Sequence, residues 1–410
     1  MTNAPQKYRG RAFALLALTI STAASLVVAD VALDAVQRRR QPPFYTNLTP
    51  NELSKLSVMT SGTITGAYLD AIVDQPWHEP GRSWIWAGQR DRAVEFLVKG
   101  RWNNIGCHDD VDYPMSRRPA VLFLGDSFIE AMQLDVRDTF FHRLRQTRFG
   151  ERFDVWACGA AGWHPSRAAR FLNDDPTLNN IPAVRQLSTL RPAYVVYFVF
   201  IGNDLRDEEG PVFEDAMAGA PRCPDPLIPS SPTLNGLNGV HLTPPSAEPI
   251  LLAKFRQAAG MYATKGGSDY RCVDSQLWPY LPIPITAVEE GWKTMFRGLD
   301  WLNQTVTSRG GKLIVGMIEP MPVPYGRFAL DRAVRASFPG GKALSFDLSL
   351  ARMKLSAYAS NKGVPFVHVT EGLQVCGGTD HYYPADEHFN ANGHRCLADY
   401  LSSNRDTLFH

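Results

Sequence analysis

The sequence predicts an α/β fold in which a parallel sheet of five strands is covered by helices on both faces. Two observations predict it. Five short apolar runs recur between residues 119 and 369, and the stretches between them place apolar residues at helical spacing. Each run is apolar throughout rather than alternating, so both faces of every strand are expected to be buried, as in sheets built from βαβ units. The first strand is 119–124 (PAVLFL), stopping at Gly125. A helix over 127–148 follows, with Ile129, Met132, Val136, Phe140 and Leu144 on one face. The second strand is 153–157, followed by a helical stretch at 165–190. The third is 193–200 (AYVVYFVF), and the fourth is 312–318 (KLIVGMI), preceded by a helix at 289–308. The fifth is 365–369, preceded by a helix around 346–361, and a helix at 391–405 closes the chain.

Ahead of this domain the chain carries an uncharged run of 18 residues, 12–29, flanked by Lys7, Arg9 and Arg11. It is long enough to span a bilayer as a helix, and its layout also fits a signal peptide. The expected organisation is a basic cytoplasmic tail at 1–11, a transmembrane anchor (or signal peptide) at 12–36, and a linker with a small β-containing module at 37–118. Residues 119–410 then form the main domain, lying outside the cytoplasm. Its third and fourth strands are separated by a Pro-rich insertion, 207–288, whose length suggests a lid or a separate insertion. Hydrophobic residues make up 44% of the 410, so the chain has a sizeable core to bury. Lys plus Arg number 42 and Asp plus Glu 41, a formal charge of +1. That balance excludes nucleic acid as the main partner, because phosphate binding needs a concentrated positive surplus.

Active sites in parallel sheets gather at the carboxyl ends of strands, and the polar residues that follow these strands are the candidates. Ser127 follows the first strand in Gly125-Asp126-Ser127-Phe128. A Ser at a strand-to-helix turn exposes its hydroxyl near N–H groups that stabilise an oxyanion, and it serves equally well as a helix N-cap. Gly162 closes the small-residue run after the second strand, where backbone approaches a ligand or simply packs tightly. Asn203, in Gly202-Asn203-Asp204 after the third strand, either aims an amide at developing negative charge or makes a turn. Past the fifth strand, His388 is a candidate general base with Asp386 fixing its tautomer. The rival reading, a metal site, lacks further ligands at recognised spacing.

Taken together these four blocks resemble those of the SGNH (GDSL-type) hydrolases, over roughly residues 119–405 with the insertion excluded. The resemblance implies a flavodoxin-like three-layer α/β/α fold, with Ser127 as nucleophile and His388 and Asp386 completing a triad. It also implies an oxyanion hole from Ser127, Gly162 and Asn203, and no cofactor or metal. Two departures stand out. Only Glu387 separates Asp386 from His388, where the family more often has two residues, a spacing shared with membrane-anchored, polysaccharide-modifying relatives. That leaves Asp380 as a substitute for Asp386. Ala157 also stands where relatives often carry Asn.

The expected activity is that of a serine esterase acting through an acyl-enzyme on O-acyl, foremost O-acetyl, esters of a cell-envelope or exported carbohydrate. Two alternatives stand beside it: an O-acetyltransferase with the same site, and a non-catalytic carbohydrate-binding or assembly protein. The partners implied are a carbohydrate or small ester and the membrane. Trp84, Trp86, Trp102, Trp156 and Trp163 are candidates for stacking on sugar rings, with core packing the commoner role. A lipid ester fits less well, since the insertion is polar. Outside the cytoplasm the six cysteines are expected to pair, as Cys223–Cys272 within the insertion and Cys107–Cys376 beside the crevice. Cys158 reads as a small buried residue and His394 as structural.

Overall fold

A computed structural model describes residues 44–46, 67–68, 78–90, 93–114, 118–173, 182–208, 212, 215–216, 275–321, 323–325, 346–377, 380–383 and 386–410. The chain divides into two compact units, Met1–Phe44 and Tyr45–His410, the first lying outside the described residues apart from Phe44. The tail and anchor expected over 1–36 therefore lie outside the described residues, as do Cys223, Cys272 and most of the insertion. Among the described residues no helix is long and apolar enough to cross a membrane.

A small sheet comes first, with strands β1 (Phe44–Thr46), β2 (Ala67–Tyr68), β3 (Ser83–Arg90) and β4 (Ala93–Arg101) in the order β2-β1-β3-β4. β3 and β4 are an antiparallel pair. The main sheet contains β5 (Ala120–Gly125), β6 (Asp154–Gly159), β7 (Tyr194–Phe200), β8 (Lys312–Ile318) and β9 (Phe366–His368), all parallel, in the order β6-β5-β7-β8-β9. This is the flavodoxin-like arrangement, with a crevice where the winding reverses at β5 and β7.

Both faces of the sheet are buried, which is why its strands read as unbroken apolar runs. Leu122, Leu124, Trp156, Cys158, Val195, Tyr197 and Val315 face one core. Helices α4 (Pro165–Leu172), α5 (Pro182–Thr189), α7 (Thr286–Ser308) and α8 (Leu350–Lys362) pack there. Val121, Phe123, Val155, Ala157, Val196, Phe198 and Ile314 face the other, covered by α1 (Ser127–Glu130), α2 (Phe140–Arg145), α3 (Arg148–Arg152), α9 (Val369–Cys376), α10 (Ala391–Ser403) and α11 (Arg405–Leu408). One short helix, α6 (Asp204–Glu208), follows β7.

Several expectations are corrected here. The helix expected over 127–148 is broken into α1, a single turn at Val136–Asp138, and α2. Ala131 ends α1 in the left-handed region (φ 53°), and Asp135 and Thr139 each cap a fresh start with a side-chain oxygen. The stretch 165–190 likewise holds two helices. The far end of the stretch expected as an insertion packs into the core through Leu277, Trp278, Tyr280, Leu281 and Ile285. Helix α9 follows β9 with no intervening loop and went unanticipated. Of the five tryptophans proposed to stack on sugars, Trp84, Trp102, Trp156 and Trp163 are buried, leaving only Trp86 partly accessible.

The bridge expected between Cys107 and Cys376 does not form. Cys107 pairs with Cys158, and Cys376 with Cys396. Cys107 and Cys158 belong to the core on one face of the sheet, Cys376 and Cys396 to that on the other, so the sheet itself stands between the two expected partners. Peptide mapping without reduction should recover Cys107 linked to Cys158 and Cys376 linked to Cys396; a Cys107–Cys376 peptide would contradict this packing.

β6 is an outer strand, and an unpaired strand edge invites association. Here three of its outward-facing backbone groups are taken, the carbonyls of Val155 and Ala157 and the N–H of Ala157. Arg145 donates to the Val155 carbonyl at 2.8 and 3.1 Å, and the Ala157 N–H donates to the Tyr113 hydroxyl at 3.0 Å. Asp109, fully buried, accepts from both Arg145 and Tyr113. Truncating Arg145 leaves that carboxylate uncompensated, so Arg145→Ala is expected to lower unfolding free energy by about 3–5 kcal/mol in urea melts. A loss under about 1 kcal/mol would show that the pair does not brace the edge.

Candidate active site

Ser127 is the first residue of α1, two residues past the end of β5. The cap of that helix is Asp126, whose Oδ1 accepts the Phe128 N–H at 3.0 Å. With the capping role filled by its neighbour, Ser127 has its hydroxyl free, and Oγ lies 2.7 Å from Nε2 of His388. His388 Nδ1 in turn lies 2.6 Å from Oδ1 of Asp386. A carboxylate only accepts, so Nδ1 carries the proton and Nε2 of the neutral ring is left to accept from Ser127.

Asp386 and His388 reach each other because Glu387 between them adopts φ 73°, a left-handed conformation uncommon outside glycine. That turn folds the chain back so that both flanking side chains point the same way. It is held by main-chain bonds from Glu387 N to Tyr383 O (2.8 Å) and from Tyr383 N to His388 O (2.7 Å). The one-residue spacing is thus met by a strained backbone, an outlier of the kind that gathers at functional sites. The His388 ring lies against Phe128, centroids 4.7 Å apart, and Phe128 packs on Phe200 and Phe389. Asp380, the substitute considered for Asp386, is committed elsewhere, accepting from Asn390 Nδ2 (2.9 Å) and Asn392 Nδ2 (3.3 Å) at the start of α10. His394 lies on α10 and accepts the Phe140 N–H at 3.1 Å; burial pulls its pKa down to about 3, so it stays neutral and ties α10 to α2.

Gly162 sits in the loop after β6 with φ 68°. The end of β6, from which that loop leaves, passes so close to α1 that a Cβ on Gly159 would fall 2.2 Å from the Glu130 nitrogen. Asn203 follows β7. Its carbonyl accepts from Arg206 N and Asp207 N at 2.8 Å each, and Asp204 takes the strand-end N–H of Phe200 at 3.1 Å. The two turn-forming duties thus fall to the Asn203 main chain and to Asp204. The Asn203 side chain is left without a hydrogen bond, its Oδ1 buried. A Cβ on Gly162 would stand 3.8 Å from Oδ2 of Asp207, so the second and third motif loops are neighbours. The N–H groups of Ser127 and Gly162 have no acceptor among the described residues.

The electrostatics are dominated by burial. Burial raises Asp126 to about 7, opposed by the Phe128 N–H and the nearby His388. Asp204 is pushed well above the carboxylate range, first by burial and then by the charge of Asp126. Burial alone lowers the His388 pKa, but Asp386, through charge and hydrogen bond, and Asp126 outweigh it and the net shift is upward. A side-chain NMR titration should therefore place the His388 midpoint above 6.5, and Asp386→Asn should move it down. An unchanged midpoint in Asp386→Asn would remove Asp386 as the controlling charge.

Among the described residues, the only three metal-type side chains whose ligand atoms lie together are Cys376, His381 and Cys396. Two of these are joined in a disulfide, which leaves no thiolates to bind an ion. Two residues at the site escaped the sequence reading. Asp126 was read only as part of a motif. Glu130 is an acid set between Ile129 and Met132 on a face of apolar residues, and that inward placement was its one signal.

No family model matches the sequence, and no curated protein matches it. Similar solved structures include TesA, 15% identical, matched over 71% of this chain and 99% of that one with a TM-score of 0.34. A carbohydrate acetylesterase family member from Sinorhizobium meliloti is 11% identical over 71% of this chain and 98% of its own, TM-score 0.34. A catalytic mutant of an acetylxylan esterase from Geobacillus stearothermophilus is 11% identical over 71% and 95%, TM-score 0.35. With identities under 25% and TM-scores under 0.5, these likenesses carry no weight for the chemistry, which is read from the geometry alone.

Proposed function

We propose that this chain is an SGNH-type serine hydrolase that cleaves O-acyl esters, acetyl esters first among them, through an acyl-enzyme. The observation that carries the reading is the continuous relay from Ser127 Oγ through His388 to Asp386, at 2.7 and 2.6 Å. Nucleophile, base and base-orienting carboxylate within hydrogen-bond reach is the signature of an activated serine.

In the proposed reaction, Ser127 Oγ attacks the ester carbonyl carbon as its proton passes to His388 Nε2. The carbonyl oxygen becomes an oxyanion, met by the N–H groups of Ser127 and Gly162 and the amide of Asn203. The tetrahedral species collapses, the carbon–oxygen bond to the alcohol breaks, and His388 returns its proton to the leaving alcohol. Water then attacks the acyl-serine with His388 again as base, releasing the acid and restoring Ser127. Asp386 stabilises the imidazolium formed at each stage.

Hydrolysis is favoured over transfer to a sugar hydroxyl by the exposure of the relay, since the side chains of His388 and Asp386 are 22% and 21% accessible to solvent. An extracytoplasmic place for the domain is supported by the two disulfides, which persist in oxidising compartments, and by the basic and apolar layout of residues 1–36. Membrane attachment through that segment and an envelope or exported carbohydrate as substrate belong to the same reading. The substrate rests on that placement and on the balanced charge, since the tryptophans once considered for sugar stacking are mostly core.

Ser127→Ala should abolish hydrolysis of 4-nitrophenyl acetate and labelling by a fluorophosphonate probe. Equal turnover in mutant and wild type would sink the catalytic reading. Asn203→Ala should cost on the order of 100- to 1,000-fold in kcat. The pH profile of kcat/KM should fall on the acid side through the His388 pKa, because the base must be neutral to accept the serine proton. With that pKa raised, the limb is expected above 6.5. A flat profile from pH 5 to 8 would remove His388 from the base role.

A further inference from the structure

The segment that precedes the catalytic sheet grips one residue of the site at two of its polar groups. Glu130 ends α1, three residues after Ser127, and its side chain is only 4% exposed. Its Oε2 accepts the main-chain N–H of Ala161 at 3.0 Å, and its Oε1 accepts from Nε2 of His78 at 2.6 Å. Its carbonyl oxygen accepts from Nδ1 of His108 at 2.9 Å. Both histidines are buried against tryptophans. His78 stacks flat on Trp102, centroids 3.7 Å apart and planes 2° off parallel, while Trp84 meets the His108 ring edge-on at 4.7 Å. Trp84 and Trp102 share one apolar cluster with Phe96 and Val98 of the same segment and with Met132, just past α1.

This arrangement has a direction. Ala161 immediately precedes Gly162, whose N–H is one of the oxyanion donors in the reading above. A bond from a carboxylate to a backbone N–H is charge-assisted and directional. It fixes the Ala160–Ala161 peptide, the one just before the peptide that carries the Gly162 N–H, and it does so from the same four-residue helix that carries the nucleophile. The other carboxylate oxygen would be free to swing if His78 did not hold it. Nucleophile and oxyanion loop are thereby locked at a fixed separation, and their relative placement is what transition-state stabilisation depends on.

We propose that Glu130 is a positioning residue for the oxyanion loop, and that the segment carrying His78, Trp84, Trp102 and His108 is the scaffold that holds its carboxylate. The proposal rests on the hydrolase reading and assigns a purpose to a module whose sequence shows none.

The test compares full-length Glu130→Ala, Glu130→Gln and His78→Ala with wild type, each rate expressed per serine titrated by the fluorophosphonate probe. Glu130→Ala should lose about 10- to 100-fold in kcat, with KM for 4-nitrophenyl acetate within about twofold. Glu130→Gln retains a carbonyl oxygen for the Ala161 N–H and should recover to within about fivefold of wild type. His78→Ala leaves the carboxylate in place but unbraced and should lose about 3- to 10-fold. A merely structural carboxylate would lower Tm and the titratable fraction and leave turnover per titrated site within about twofold of wild type, an outcome that overturns the proposal. If Glu130→Ala does not fold, His78→Ala decides on the same per-site measure. Wild type that neither labels nor turns over would overturn the hydrolase reading and this one with it, and is told apart by that control.

Discussion

The parallel ladder that β5 shares with β6 on one side and β7 on the other is the constraint on which the site depends. Gly125 at the end of β5 is paired with Gly159 of β6 and Phe198 of β7. That register brings three chain segments to one rim within a few residues of one another, although they lie far apart in sequence. Successive loops leave the sheet in opposite directions where the strand order reverses, opening the crevice there. Ser127, Gly162 and Asn203 are each delivered by a different strand of this trio. A shift of one residue in either pairing would turn the strands inside out with respect to their two cores.

The His388 and Asp386 half of the site is built on another principle. It belongs to no strand, and its geometry comes from a turn with one residue in the left-handed region, pinned by Tyr383 and packed against Phe128. Behind the nucleophile lie two buried carboxyl groups whose pKa burial raises, Asp126 and Asp204. The charges of Asp386 and Asp126 together outweigh the burial of His388 and shift its pKa upward.

Strand positions were legible because a strand buried on both faces leaves an apolar run that little else produces, and 312–318 was read to the residue. The helix at 127–148 was misread because Ile129, Met132, Val136, Phe140 and Leu144 keep helical spacing across two breaks. Asp135 and Thr139, the caps that mark those breaks, were visible as residue types, but not as caps until the backbone was known. The five motif residues were legible since their meaning lies in local sequence. Glu130 and His78 were not. Their pairing spans 52 positions and depends on how the segment ahead of β5 packs against α1, which no periodicity encodes. The cysteines failed for a related reason, since pairing requires knowing which face of the sheet each loop covers.

The bridge between Cys376 and Cys396 closes a covalent ring of chain whose ends are 20 positions apart, and both Asp386 and His388 lie inside it. Closing a ring of this size removes conformational freedom from the unfolded chain worth on the order of 3 kcal/mol in the loop-entropy view. The acid–base pair thus sits on a short tether anchored at two helices, α9 and α10, whatever happens in the long Pro-rich stretch elsewhere. Length changes in that stretch leave the tether untouched, whereas a single residue added or removed inside the ring would be felt directly at His388.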